Sequence, residues 1–126
     1  MQQLAARFAA RAVWMGLPAV IFTLLHAAPG AGWVGGALLM APILAFALAA
    51  ADLTVRSGNL GLAMGWHFIN NCSALLLVSI KGTLTGLALY TTPYGVNEGA
   101  LSALAIAANL LAVGLMWRLL RPVASR

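Results

Sequence analysis

Charge is scarce in this sequence. Two acidic and seven basic side chains make up 7% of its 126 residues, too little polar surface for an ordinary soluble domain of this length. The net charge of +5 does not gather on one face, as a nucleic-acid footprint requires. It sits between apolar runs, so no nucleic-acid partner is expected. Cys72 is the sole cysteine, which excludes an internal disulfide and leaves the redox compartment unread; a small core residue is its expected role. There is no HExxH, no GxSxG, no glycine-rich phosphate loop and no cysteine cluster, which removes the familiar soluble-enzyme chemistries. A repeat with a period of roughly 20 to 50 residues is also missing, and solenoid folds go with it.

What is present is apolar sequence, 63% of the chain, in runs suited to crossing a hydrocarbon layer of about 30 Å as helices. Four spans are expected, at about 12–28, 33–51, 60–80 and 101–117, giving an all-α integral membrane helical bundle in a single domain over 1–126. Arg7 and Arg11 precede an apolar segment, as in a secretory signal, but that segment continues past Pro18 to Ala28 without a convincing cleavage motif. It is read as retained. Residues 1–11 are helix-prone and resemble the tail of an earlier helix. Pro18 is placed to kink the first span, which ends near the break Pro29-Gly30-Ala31-Gly32. The second span is rich in Gly and Ala, so neighbours can approach it closely, and Asp52 is expected to close it. The turn signal Ser57-Gly58-Asn59 then makes spans two and three antiparallel neighbours. Leu84 to Tyr90 is too short to cross and, with Thr91 to Glu98, reads as an interfacial loop whose tyrosines suit the headgroup layer.

Four crossings put Arg7, Arg11, Arg56, Arg118, Arg121 and Arg126 on one side and Lys81 alone on the other. The positive-inside rule makes the arginine-rich side, with both termini, cytoplasmic. A bacterial inner membrane is the expected location, and the lipid bilayer the first partner.

Three polar groups fall in the first half of the third span: His67, Asn70 and Asn71. Hydrocarbon would leave each without a partner, so the helix that carries them packs inside a bundle or lines a site. His67 and Asn71 are four apart and share a helical face, as do Phe22 and His26 on the first span. Ordinary interhelical hydrogen bonding accounts for either histidine taken alone; two on separate spans, each beside a polar break or an amide, suggest one site. Asn109 lies near the middle of the fourth span. If Arg11 and Asn59 start at one membrane level, His26 lies about 22 Å in, His67 about 12 Å and Asn71 about 18 Å. Convergence then calls for tilt, a kink at Pro18 or extension of the third helix below Asn59.

Phe22-Thr23-Leu24-Leu25-His26 resembles the FxxxH motif, and His67-Phe68-Ile69-Asn70-Asn71 the HxxxN motif, of the CPBP intramembrane proteases, the Abi family. These are bacterial relatives of the type II CAAX prenyl endopeptidases. Leu53 to Leu60 is similar to the polar turn that precedes the family's second histidine helix, and the likeness covers roughly residues 1–75. It implies an intramembrane endopeptidase, a hydrolase acting on membrane-associated peptides or protein tails, with His26, His67 and Asn71 as catalytic residues. The family's EExxxR motif, whose glutamate is thought to activate water, is missing. The only acids are Asp52 and Glu98, and neither stands where that glutamate would. The resemblance therefore implies the C-terminal portion of such a domain, with a start inside it. No cofactor is expected, and a divalent metal such as zinc, bound through His26, stays open.

Peptide hydrolysis in a bilayer needs a base for water and donors for the oxyanion. Neutral His67 and Asn71 suit the second task, and His26 the orientation of water. The alternative from another class is a non-catalytic membrane immunity or scaffold protein that holds a partner in the same polar groove.

Overall fold

The computed structural model describes residues 1–27, 33–81, 87–95 and 99–125. The break at Pro29 and the acid Glu98 lie outside the described residues, as does Arg126. A short helix α1 (Gln2–Ala5) opens the chain, and residues 8–10 are not helical, so the helix-prone stretch 1–11 forms one turn only. A π-helical segment, Ala12–Gly16, leads into α2 (Leu17–Leu24). The reason for the wide turn is Pro18, which has no N–H to donate and whose ring crowds the preceding turn. The Leu17 N–H reaches back to the Ala12 carbonyl instead.

Helix α3 runs from Trp33 to Ser57 and tolerates Pro42 inside it. Asp52 does not end this helix, contrary to the expectation of a loop there. It lies more than a turn before the end and accepts a hydrogen bond from Arg56 Nε at 2.7 Å, an i,i+4 pair that supports helix rather than stopping it. The next residue, Leu53, is fully buried. Termination waits for Gly58, whose φ of 69° is the left-handed conformation that suits glycine after a helix C-terminus. Ser57 Oγ donates to the Asn59 carbonyl at 2.9 Å, and Asn59 Oδ1 accepts the Gly61 N–H at 2.8 Å, which launches α4 (Gly61–Cys72).

Helix α4 continues as a π-helical turn, Ser73–Leu77, and there the helix stops. The third expected span, 60–80, is therefore not one rod: Val78 is extended (φ −132°, ψ 113°) and Val78–Lys81 forms a strand, β1. A second strand, β2 (Tyr90–Gly95), pairs with it in parallel, with Val78 opposite Tyr90, Ser79 opposite Thr91 and Lys81 opposite Gly95. The register shifts between Ser79 and Lys81, as in a bulge. The Leu89 N–H bonds the Leu76 carbonyl at 3.0 Å, so the chain returns to the level of the π turn before β2 begins. Thr92 Oγ1 accepts from the Lys81 N–H at 3.2 Å and donates to the Tyr94 carbonyl at 2.7 Å, which fixes the ribbon beyond its ladder bonds. The expected interfacial loop at 84–98 is thus partly a strand, and the all-α reading gives way to a mostly helical fold with one small ribbon.

Helix α5 (Gly99–Ala124) carries Arg118 and Arg121 within it. It packs most extensively against α3, and the two run parallel, because Trp117 Nε1 near the end of one donates to Asp52 Oδ2 near the end of the other at 2.9 Å. Buried alanines at 19, 47, 51 and 124 are the small residues that let apolar helices approach closely. Among the described residues two helices are long and apolar enough to cross a membrane, Leu39–Ser57 and Ala103–Ala124, with Ala12–Leu24 a shorter apolar helix. The expected count of four is not reached by helix length.

Candidate functional site

His26 stands in the turn that follows α2, where its Nδ1 lies 2.8 Å from the Phe22 carbonyl oxygen. A carbonyl only accepts, so Nδ1 carries the proton and Nε2 of the neutral ring keeps its lone pair. On α4, the Asn71 amide nitrogen lies 3.2 Å from His67 Nε2. With the amide as donor, the proton of that ring sits on Nδ1, which is buried and has no hydrogen-bond partner among the described residues.

Aromatic packing brings the two rings together. Phe22 stacks against His26 at 4.4 Å between centroids and meets His67 edge-on at 5.6 Å. From α3, Phe46 packs on His67 at 5.5 Å and on Trp66 at 4.7 Å. The imidazoles of His26 and His67 are consequently 6.5 Å apart, nearly perpendicular at 82°. Of the sequence-derived site residues, His26, His67 and Asn71 all line one cavity of ≈ 330 Å³, within the size range of ligand pockets.

The depth mismatch expected from helix counting disappears because the two helices do not start level. Met15 and Pro18 share a smaller cavity with Leu60 and Ala63, which puts the start of α4 beside the π turn and Pro18 rather than beside Arg11. From those levels His26 and His67 are each about 11 to 12 Å along their helices.

The other walls come from parts of the chain that sequence reasoning did not assign to the site. Leu39, Pro42 and Ile43 of α3 line the cavity, as do Ile80 and Tyr94 of the ribbon and Ala105, Ile106 and Asn109 of α5. Asn109 was visible in the sequence as a polar residue amid an apolar run, a usable signal; Tyr94, read as interfacial, gave none.

A carboxylate is not found at the cavity among the described residues. Asp52 lines a separate cavity with Trp117, and its Oδ2 is taken up by Trp117, by Arg56 and, at 3.9 Å, by Arg121. No group of three His, Cys, Asp or Glu able to hold a metal ion occurs among the described residues. Two imidazoles are one short of the three protein ligands of a catalytic zinc site, so the described residues lining the cavity do not fit zinc.

The family model for the type II CAAX prenyl endopeptidase Rce1-like proteins matches residues 1–73. The chain belongs to this family. No curated protein and no solved structure matches it. Membership makes this Rce1-like protein an integral membrane, CAAX protease-like protein, in keeping with its two long apolar helices. The matched stretch takes in His26, His67 and Asn71. It stops before the ribbon and α5, so the Rce1-like portion supplies the walls from α2, α3 and α4, while the remaining walls come from beyond the match.

Proposed function

We propose that this Rce1-like chain is an intramembrane endopeptidase cutting membrane-associated peptides or protein tails, with His26, His67 and Asn71 as its catalytic residues. The observation that carries this reading is the meeting of two imidazoles from different helices, 6.5 Å apart, over one cavity. The Nδ1–H bond to Phe22 leaves Nε2 of His26 as the basic nitrogen to orient water and take its proton. The bond to Asn71 fixes the His67 ring, and the second hydrogen of the Asn71 amide remains as a donor for an oxyanion. Phe22 packs on both rings and Phe46 on His67, and such apolar cover strengthens polar interactions beside it. The chain is further proposed to be one membrane domain in a bacterial inner membrane with both termini cytoplasmic. The gathering of Arg56 and Arg121 at one end, around Asp52, supports that orientation.

Cleavage of a membrane-anchored peptide reporter by the chain in proteoliposomes tests this. His26→Ala and His67→Ala are expected to lower the rate about 100-fold or more at unchanged protein level; cleavage unaffected by both would overturn the assignment. The lack of a carboxylate at the cavity among the described residues favours a second reading, a non-catalytic immunity or scaffold protein. That reading predicts a reporter that is held and left intact.

A further inference from the structure

We infer that Asn109, with Asn70 across the same cavity, is a binding residue for the backbone of an extended peptide, and that α5 therefore sets which stretch of substrate the site can hold. The inference rests on the endopeptidase reading of the cavity, or on its peptide-holding alternative, and adds a contact from the part of the chain that the family match does not reach.

The polar side chains lining the cavity are not equally committed. His26 is tied to Phe22, and His67 and Asn71 to each other. Asn70 and Asn109 line the same cavity, and among the described residues their side-chain amides have no hydrogen-bond partner. Asn109 belongs to a helix apolar enough to span a membrane, where a partnerless amide is disfavoured. An occupant of the cavity that Asn109 lines would satisfy the amide.

Depth agrees. Parallel α3 and α5 are pinned level by the bond from Trp117 to Asp52. Counting back from that bond, Phe46 lies about 9 Å along α3 and Asn109 about 12 Å along α5. Phe46 is the ring that packs on His67, so Asn109 stands close to the level of that imidazole, on the α5 wall of the cavity.

The chemistry of the occupant follows. A carboxamide offers an acceptor and two donors, the complement of one peptide unit with its N–H and C=O. A peptide chain drawn out of water into a site at membrane depth must have those groups satisfied by protein. The rest of this wall, Ala105 and Ile106 with Leu39 and Ile43 of α3, is apolar and suited to the substrate's side chains. One amide among apolar neighbours therefore reads the backbone and leaves side-chain preference to the apolar contacts.

The test uses the full chain in vesicles and a fluorescent peptide of the reporter's sequence, together with a series in which one backbone amide at a time is replaced by an ester. Asn109→Leu removes a polar group from an apolar span, so the variant is expected to insert and to keep its melting temperature. It is expected to weaken peptide binding, and to raise KM where cleavage is measured, about 10-fold with kcat little changed. Asn109→Gln should restore much of the loss. One ester position should weaken binding to the wild-type chain by a similar factor and cause no further loss in Asn109→Leu, because the two changes remove the same bond. Equal binding by Asn109→Leu and wild type, or ester losses that are the same in both, overturns this inference alone. A wild-type chain that holds no peptide overturns it together with the reading beneath it.

Discussion

Trp117 Nε1 donates a hydrogen bond to Asp52 Oδ2 across 2.9 Å, joining α5 to α3. The guanidinium of Arg121 lies 4.6 Å from the centroid of the same indole, and Arg56 completes the set. This cluster fixes the height of α5, and so of Asn109, against the helices that carry the histidines. Trp117→Phe keeps the ring and removes the donor. About 1 kcal/mol of stability should be lost, the low end for a bond to a charged group because Asp52 is partly exposed. Thermal unfolding in detergent should show a melting temperature lower by about 4 °C, and an unchanged value would remove the cluster from the account.

Gly58 holds the turn between the two helices that meet at the site. Its positive φ penalises any residue with a Cβ, so Gly58→Ala should cost about 1 to 2 kcal/mol, and Gly58→Asn less. Denaturant unfolding of the two variants checks the order. Equal stability of wild type and Gly58→Ala would mean that the turn does not depend on glycine.

Phe22 touches both imidazoles with its ring, and its carbonyl accepts the hydrogen bond from His26 Nδ1. Phe22→Leu leaves that backbone bond in place and removes the ring contacts. The expected stability loss is about 1 kcal/mol, while reporter cleavage should fall by about 10-fold, more than the stability change explains, because the rings lose their mutual orientation. Cleavage at the wild-type rate would show that the stacking is packing alone.

Thr92 both accepts from the Lys81 N–H and donates to the Tyr94 carbonyl. Thr92→Val keeps the shape without the hydroxyl, so hydrogen exchange at the Lys81 amide should quicken about 10-fold. An unaltered rate would place the stability of the ribbon in its ladder bonds.

The histidine pair was legible in the sequence because helical periodicity puts Phe22 beside His26 and His67 beside Asn71 whatever the tertiary fold. Pro18 was equally plain. The depths of the two rings were not, since they depend on where α4 starts against the π turn, a matter of packing between distant segments. Asp52 looked like a helix end on hydropathy alone; its partners Trp117 and Arg121 lie on a helix far along the chain. The ribbon was illegible for a different reason. Leu75 to Ile80 is apolar but for Ser79 and reads as helix, and β-branched Val78 and Ile80 are too few to overturn that reading without their partners on β2. Asn109 could be seen but not placed, because its environment is made by the α3–α5 packing.

Magic-angle-spinning NMR of the histidine-labelled chain in lipid bilayers tests the central claim most directly, because two histidines give only two ring systems. A through-space correlation between the rings, with His26 protonated at Nδ1, is the result expected here. Two rings without mutual contact, each correlated with lipid chains instead, would contradict it.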